Sequence, residues 1–219
     1  MKFCKEFNEV LTFFPDEVRS CCVLGNIGPI YYHNTDFNKK KFDFDYLKNK
    51  KEQIYKNILY ENYDNIPCKN CFYLKEKTEN DKYNPKYSLI YLNNWTHCNC
   101  GCFYCDRVVY SRGKITKHKE KSQFYDVLPI IKGLYENNLI DIENLRVVFH
   151  GGDFSVLKEF EPLVKTFMKE GVQKIDFSSN NIIFQPLVRD LLIQNKASLN
   201  MSLDCGSRSE ERRVGKECR

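Results

Sequence analysis

The chain has 219 residues, a net charge of +5 and 42% apolar residues. That length allows one large domain or two small ones, and that apolar content argues against wholesale disorder. The basic excess is modest and spread along the chain, with no Lys/Arg block interleaved with aromatics, which argues against a nucleic-acid binder. No apolar run approaches the length of a transmembrane helix, so no membrane partner is expected. The start, Met1 to Glu6, shows no signal-peptide apolar region, and the expected compartment is the cytoplasm. In that reducing setting eleven cysteines point to metal or redox chemistry rather than to a disulfide framework.

Residues 1–85 carry few strand signals, several Asn, Asp and Pro breaks, and one predicted helix near Tyr46–Tyr60. A segment of this kind has a thin core and gains from a metal staple. A boundary is expected near Pro85. From Tyr87 onward the pattern alternates. Tyr87–Leu92 reads as a strand. Ser122–Glu136 places Phe124, Val127, Ile131 and Leu134 close to helical spacing, with Pro129 kinking it or shifting its start. Leu145–Phe149 is a short β-rich run. Ser155–Glu170 sets Leu157, Phe160, Val164, Phe167 and Met168 on one helical face, with Gly171 as a C-cap. Lys174–Ser178 reads as a strand, Phe184–Asn195 as a helix and Ser198–Leu203 as a strand. The order β-α-β-α-β-α-β calls for parallel strands with right-handed crossovers. The tail Gly206–Arg219 has no aromatic residue, and its basic residues are mostly arginine where the body's are mostly lysine. It reads as a charged extension or as a non-native peptide, and it resembles an adapter- or vector-derived sequence; the second reading is the one expected.

The cysteines are grouped: Cys4, Cys21, Cys22, Cys68 and Cys71 early, then Cys98, Cys100, Cys102 and Cys105 together, then Cys205 and Cys218. Cys98, Cys102 and Cys105 form C-x3-C-x2-C directly after the Tyr87–Leu92 strand. Three thiolates on one short loop can hold three corners of a [4Fe–4S] cube and leave the fourth iron open. The ends of strands in parallel folds are where sites are built. Zinc spacings overlap this one, so Cys98, Cys100, Cys102 and Cys105 could also bind zinc, alone or as a ribbon with Cys68 and Cys71. Unliganded thiols are a third reading. His33, His97, His118 and His150 show no pairing that suggests ligation, and Arg112–Lys121 reads as a solvated basic face.

The C-x3-C-x2-C spacing, with Tyr104 before its last cysteine, resembles the signature of the radical S-adenosylmethionine (SAM) superfamily. The resemblance implies that Cys98, Cys102 and Cys105 hold a [4Fe–4S] cluster whose open iron chelates SAM, and that a 5′-deoxyadenosyl radical abstracts a substrate hydrogen. Three further strand ends resemble the family in order. Gly151-Gly152-Asp153 stands where the family has Gly-Gly-Glu, whose carboxylate holds the SAM ammonium; Asp153 is one methylene shorter. Read alone, it is a turn with Asp153 as an N-cap. Ser179 and Asn180 lie where the family has a polar turn near SAM. Ser202 and Asp204 resemble a strand end that serves the SAM carboxylate and ribose. These last could also be polar residues making turn hydrogen bonds.

Cys4, the Cys21-Cys22 pair and Cys68-x2-Cys71 resemble a SPASM- or twitch-like auxiliary cluster module. The resemblance implies that Cys4, Cys68, Cys71 and one of Cys21 and Cys22, with Cys22 favoured, hold a second Fe–S cluster; a structural zinc site is the alternative. The expected architecture is α/β: a cysteine-rich metal-binding module over 1–85, a partial (β/α)6 radical SAM barrel of about four strands over 86–205, and a non-native tail over 206–219. The expected substrate is a peptide or carbohydrate-type molecule, and the expected partner a cytoplasmic electron donor. The rival functions are a zinc-binding interaction module and an inactive fragment of a radical SAM enzyme.

Overall fold

The apolar runs beyond residue 86 fold largely as their periods predict. The computed structural model describes residues 1–14, 17–21, 30–33, 42–64, 66, 68–95, 98, 109–111, 114–116 and 125–202. The early segment supplies β1 (Lys2–Phe3), α1 (Lys5–Glu9), β2 (Val10–Phe13), β3 (Glu17–Arg19), β4 (Ile30–His33), α2 (Phe44–Leu59) and β5 (Lys75–Glu76). The later one supplies β6 (Leu89–Leu92), β7 (Val109–Ser111), β8 (Lys114–Thr116), α3 (Leu128–Glu136), β9 (Arg146–Phe149), α4 (Phe160–Lys169), β10 (Lys174–Ser179), α5 (Pro186–Ile193) and β11 (Ala197–Met201).

A seven-stranded sheet runs in the order β11-β10-β9-β6-β2-β3-β4. Its members β2, β6, β9, β10 and β11 are mutually parallel, while β3 and β4 extend it as antiparallel strands. The molecule is therefore mixed α/β with a mostly parallel sheet. Helices α3, α4 and α5 fall between β6, β9, β10 and β11, which is the connection a parallel pair requires. Pro129 occupies the first turn of α3, where its missing N–H costs nothing; the predicted helix start at Ser122 thus moves to Leu128. Gly171 ends α4 with a φ of +89°, and its N–H donates to Met168 O at 3.2 Å while Val172 N–H reaches Phe167 O at 3.0 Å. A left-handed residue of this kind closes a helix, and glycine adopts it without strain. Asp43 caps α2, its Oδ1 accepting from Tyr46 N–H at 2.9 Å.

The early segment holds more strand than its sequence suggests. Val10–Phe13 lies parallel along β6, with Val10 opposite Leu89 and Phe13 opposite Leu92. The division expected near Pro85 is therefore bridged by sheet pairing. One apolar core also joins both sides: Phe7, Leu11, Phe13, Leu47 and Ile58 share it with Leu92, Phe149, Phe167 and Phe177. All four residues of β2 and all three of β3 are buried. A strand covered on both faces shows no alternation, and so gives a short run no periodic signal.

Lys51 on α2 is the most unusual member of this junction, being only 1% exposed. Its Nζ donates to Lys86 O at 3.1 Å and sits 3.9 Å from the centroid of the Tyr87 ring. Burial pushes its pKa down to about 7, with Glu9 acting in the opposite sense. Between about pH 7 and the ordinary lysine range the unfolded chain keeps a proton that the folded chain has released. Folded-state stability attributable to Lys51 therefore rises with pH across that window and is flat below it. Urea unfolding of the wild type and Lys51→Met at pH 7 and pH 9.5 isolates this effect, since other groups cancel in the difference. The wild type should gain on the order of 2 kcal/mol relative to the variant over that interval. A pH-independent difference would show that the ammonium is solvated.

Candidate functional site

The C-terminal ends of the parallel strands lie side by side, and the chain leaving each one is stitched to its neighbour. His150 N–H donates to Leu92 O at 2.8 Å, Gly152 N–H to Trp95 O at 3.2 Å, and Ser202 N–H to Ser179 O at 3.0 Å. Residues 93–95 and 98 after β6, 150–153 after β9, 180–181 after β10 and Ser202 after β11 therefore share one end of the sheet. Gly151 is explained by packing. A Cβ there would stand 3.0 Å from Trp95 Cε2 and 3.1 Å from Asn93 Oδ1. Trp95, buried and set against Phe149 with ring centroids 6.3 Å apart, is the residue that the sequence motif did not single out and that the glycine accommodates.

Asp153 is the centre of this end. It is 2% exposed, and its carboxylate takes donors from two loops. Oδ1 accepts from Ser155 N–H at 2.9 Å and from the Ser155 hydroxyl. Oδ2 accepts from the Ser179 hydroxyl and from Asn180 N–H, each at 2.9 Å. Asp153 is thus the N-cap of the short 3-10 turn Phe154–Val156 and also the tie between the ends of β9 and β10. Ser179 Oγ in turn accepts from Asn181 N–H at 2.8 Å, and Asn180 Oδ1 accepts from Ile182 N–H at 3.0 Å. The other arm of the Asn180 amide reaches Cys98, with Nδ2 3.6 Å from Sγ. The loops leaving β6 and β10 meet there across the end of β9.

Of the residues expected to serve a core cluster and SAM, the structure brings together Cys98, Gly151, Gly152, Asp153, Ser179 and Asn180, with Ser202 at the margin. Cys102, Tyr104, Cys105 and Asp204 lie outside the described residues, as does the tail over 206–219.

A second group of thiols forms around β1. Pairing of Phe3 with Lys75 sets β1 against β5, and so brings Cys4 beside the turn in which Cys71 N–H donates to Cys68 O at 3.0 Å. Cys4, Cys21 and Cys68 are buried. Burial pushes the Cys4 thiol up to about 11, the Phe7 N–H opposes this, and Cys21 and Cys71 add to it. Burial likewise pushes Cys68 up to about 12, with Cys4, Cys71 and Cys21 adding their share. Cys4 and Cys68 are therefore each within electrostatic reach of Cys21 and Cys71. Cys21, whose backbone is left-handed at φ 75°, belongs to this neighbourhood; the favoured Cys22 lies outside the described residues. In neither region do three or more His, Cys, Asp or Glu side chains among the described residues already form a metal-holding set. Among the same residues, no helix is long and apolar enough to cross a membrane.

Neither a family model, nor a curated protein, nor a solved structure matches the chain.

The Asp153 clamp makes a direct prediction. Asp153→Ala leaves the Ser179 hydroxyl and the N–H groups of Ser155 and Asn180 without their acceptor in a buried place. The loss should be about 3 kcal/mol of unfolding free energy, read as a lower urea midpoint. Asp153→Glu should not restore it, because the added methylene carries the carboxylate past the N–H of its own turn. A Glu variant as stable as the wild type would show that the cap is dispensable.

Proposed function

We propose that the chain carries the cluster-binding end of a radical SAM enzyme, built on part of a (β/α)6 barrel. The observation that carries the reading is the C-x3-C-x2-C sequence beginning at Cys98, which follows the C-terminal end of a parallel strand along the chain, with the Asn180 amide turned toward the sulfur of Cys98. The sequential order β6-β9-β10-β11 with intervening helices supports the same architecture. Cys98, Cys102 and Cys105 would hold the core [4Fe–4S] cluster. An N–H directed at sulfur stabilises a thiolate ligand and tunes the metal it binds. When bound, the cluster and SAM supply the one-electron chemistry that opens an unactivated C–H bond.

For SAM the residues fit in part. Asn180 offers a polar group beside Cys98, and Ser202 lies farther out, against Ser179. The Asp153 carboxylate does not offer itself, because both oxygens are engaged by the protein's own donors. Its work here is to hold Ser179 and Asn180 in place, and no binding of the SAM ammonium is assigned to it. Gly152 donates its own N–H to Trp95 O, so this glycine turn likewise serves the scaffold.

Cys4, Cys68 and Cys71 would hold the auxiliary Fe–S cluster, with a fourth ligand from the Cys21-Cys22 pair. The expected partner is an electron donor, and the expected site of action is the cytoplasm. A zinc-binding module is the rival for which the same thiols would serve.

Anaerobic reconstitution tests the reading. The chain should take up iron and acid-labile sulfide equivalent to about two [4Fe–4S] clusters. Changing Cys98, Cys102 and Cys105 together to Ala should remove about half of the iron, and Cys68→Ala with Cys71→Ala the other half. Cys100→Ser should retain both. Zinc without sulfide, or iron unchanged in the triple variant, would overturn the assignment.

A further inference from the structure

The two faces of the parallel sheet differ in chemistry. One face meets the helices: Leu11, Phe13, Ile90, Leu92, Val147, Phe149, Ile175 and Phe177 share the core with Ile131, Val164, Phe167 and Leu191. Val10 and Val148 are buried but stand outside that core, as the alternation along a strand demands for the opposite face. Strand register then places Arg19, Thr12, Tyr91, Val148, Asp176 and Ser198 in one row across that opposite face. Ser178 and Asn200 pair in the row above. A mostly parallel sheet is normally apolar on both faces because helices cover both. Here one face carries hydroxyls, an amide, a phenol and paired charges around the buried Val10 and Val148.

Those charges cancel. Arg19 is paired with Glu17, and Arg146 with Asp176, whose other oxygen accepts from Ser198. An ionic ligand would therefore meet no net field from this face. An apolar ligand would strand its donors and acceptors, which is costly. Thr12 Oγ1 is a buried hydroxyl with no hydrogen-bond partner among the described residues, next to Arg19 toward the β3 end of the row. Within the row Arg19, Thr12, Val148 and Asp176 are buried and Tyr91 and Ser198 half-buried, while in the row above Ser178 is half-buried and Asn200 exposed, so the face opens at its upper β10–β11 edge. Its lower margin borders a cleft of about 390 Å³ edged by Glu9, Leu89 and Arg146.

We propose that this polar face binds the substrate, and that the substrate is a neutral, hydroxyl-rich molecule of carbohydrate type. The serine and asparagine groups at the open edge of the face, Ser178, Ser198 and Asn200, both donate to and accept from hydroxyls. The Tyr91 ring offers the apolar surface that the C–H face of a sugar needs beside them. Sites for small polar molecules combine a few such placed groups with one aromatic wall. The face leads up to Cys98 and Asn180; that the reaction occurs at that end rests on the radical SAM reading, while binding to the face does not.

The test is saturation-transfer NMR on the full 219-residue chain with glucose, galactose, N-acetylglucosamine and, as the competing class, trialanine amide. Transfer to at least one sugar is expected. Tyr91→Ala should weaken that sugar's binding at least tenfold and Asn200→Ala, at an exposed edge position, about threefold. Circular dichroism identifies any variant that fails to fold. Transfer to no sugar, transfer only to the peptide, or sugar binding unchanged in both folded variants overturns the proposal. Iron and sulfide content, measured on the same samples, reads the cluster assignment separately: it should be equal in wild type, Tyr91→Ala and Asn200→Ala.

Discussion

The carboxylate of Asp153 joins the loops that follow β9 and β10 and, through Asn180, reaches the loop that follows β6. A buried carboxylate is costly unless its lone pairs are met, and here each oxygen has two donors. The consequence is positional. Ser179, Asn180 and Asn181 are fixed in a turn whose third member is left-handed, and the Asn180 whose backbone N–H is held by Asp153 turns its side-chain amide to Cys98. A change at Asp153 therefore acts on the surroundings of Cys98 without touching the sulfur.

The same residue is where the chain departs from the radical SAM pattern it resembles. An aspartate reaches the N–H two residues ahead of it, which is why it caps turns and helices and glutamate does not. The local geometry at 153–155 thus calls for the shorter side chain. Similarly, a side chain at Gly151 would press on Trp95 and Asn93. In the proposed enzyme the Gly-Gly-Asp turn becomes a scaffold for the cysteine loop, and the contacts to SAM pass to other groups at the strand ends.

Legibility followed burial. The strands at Arg146–Phe149, Lys174–Ser179 and Ala197–Met201 and the helix at Phe160–Lys169 stood out because flanking helices and turns bracket them and Gly171 marks an end. Strands β2 and β3 did not, since residues such as Thr12, Glu17 and Arg19 are polar yet buried, and a sequence reader assigns such residues to the surface. Cys21 was harder still. It is buried with a left-handed backbone just after β3, and nothing in a Cys-Cys pair announces that conformation. The grouping of Cys98, Asp153, Ser179 and Asn180 at one sheet end, by contrast, followed from the order of the motifs along the chain once the strands were taken as parallel.

The buried polar row gives the sheet a cost that its fold alone does not require. An ion pair such as Glu17–Arg19, withdrawn from water, contributes little net stability, and apolar residues of similar volume commonly do as well or better. The sheet already has an apolar face packed on helices, so a second apolar face at Thr12, Asp176 and Ser198 would have added burial. Retaining hydroxyls and compensated charges there forgoes that gain at those positions, with only Val148 apolar among them. Such a sacrifice is intelligible if the face must be wetted or filled by a polar ligand. The proposed substrate wall supplies that reason, and it lies on the same strands whose ends carry Cys98, Asp153 and Asn180.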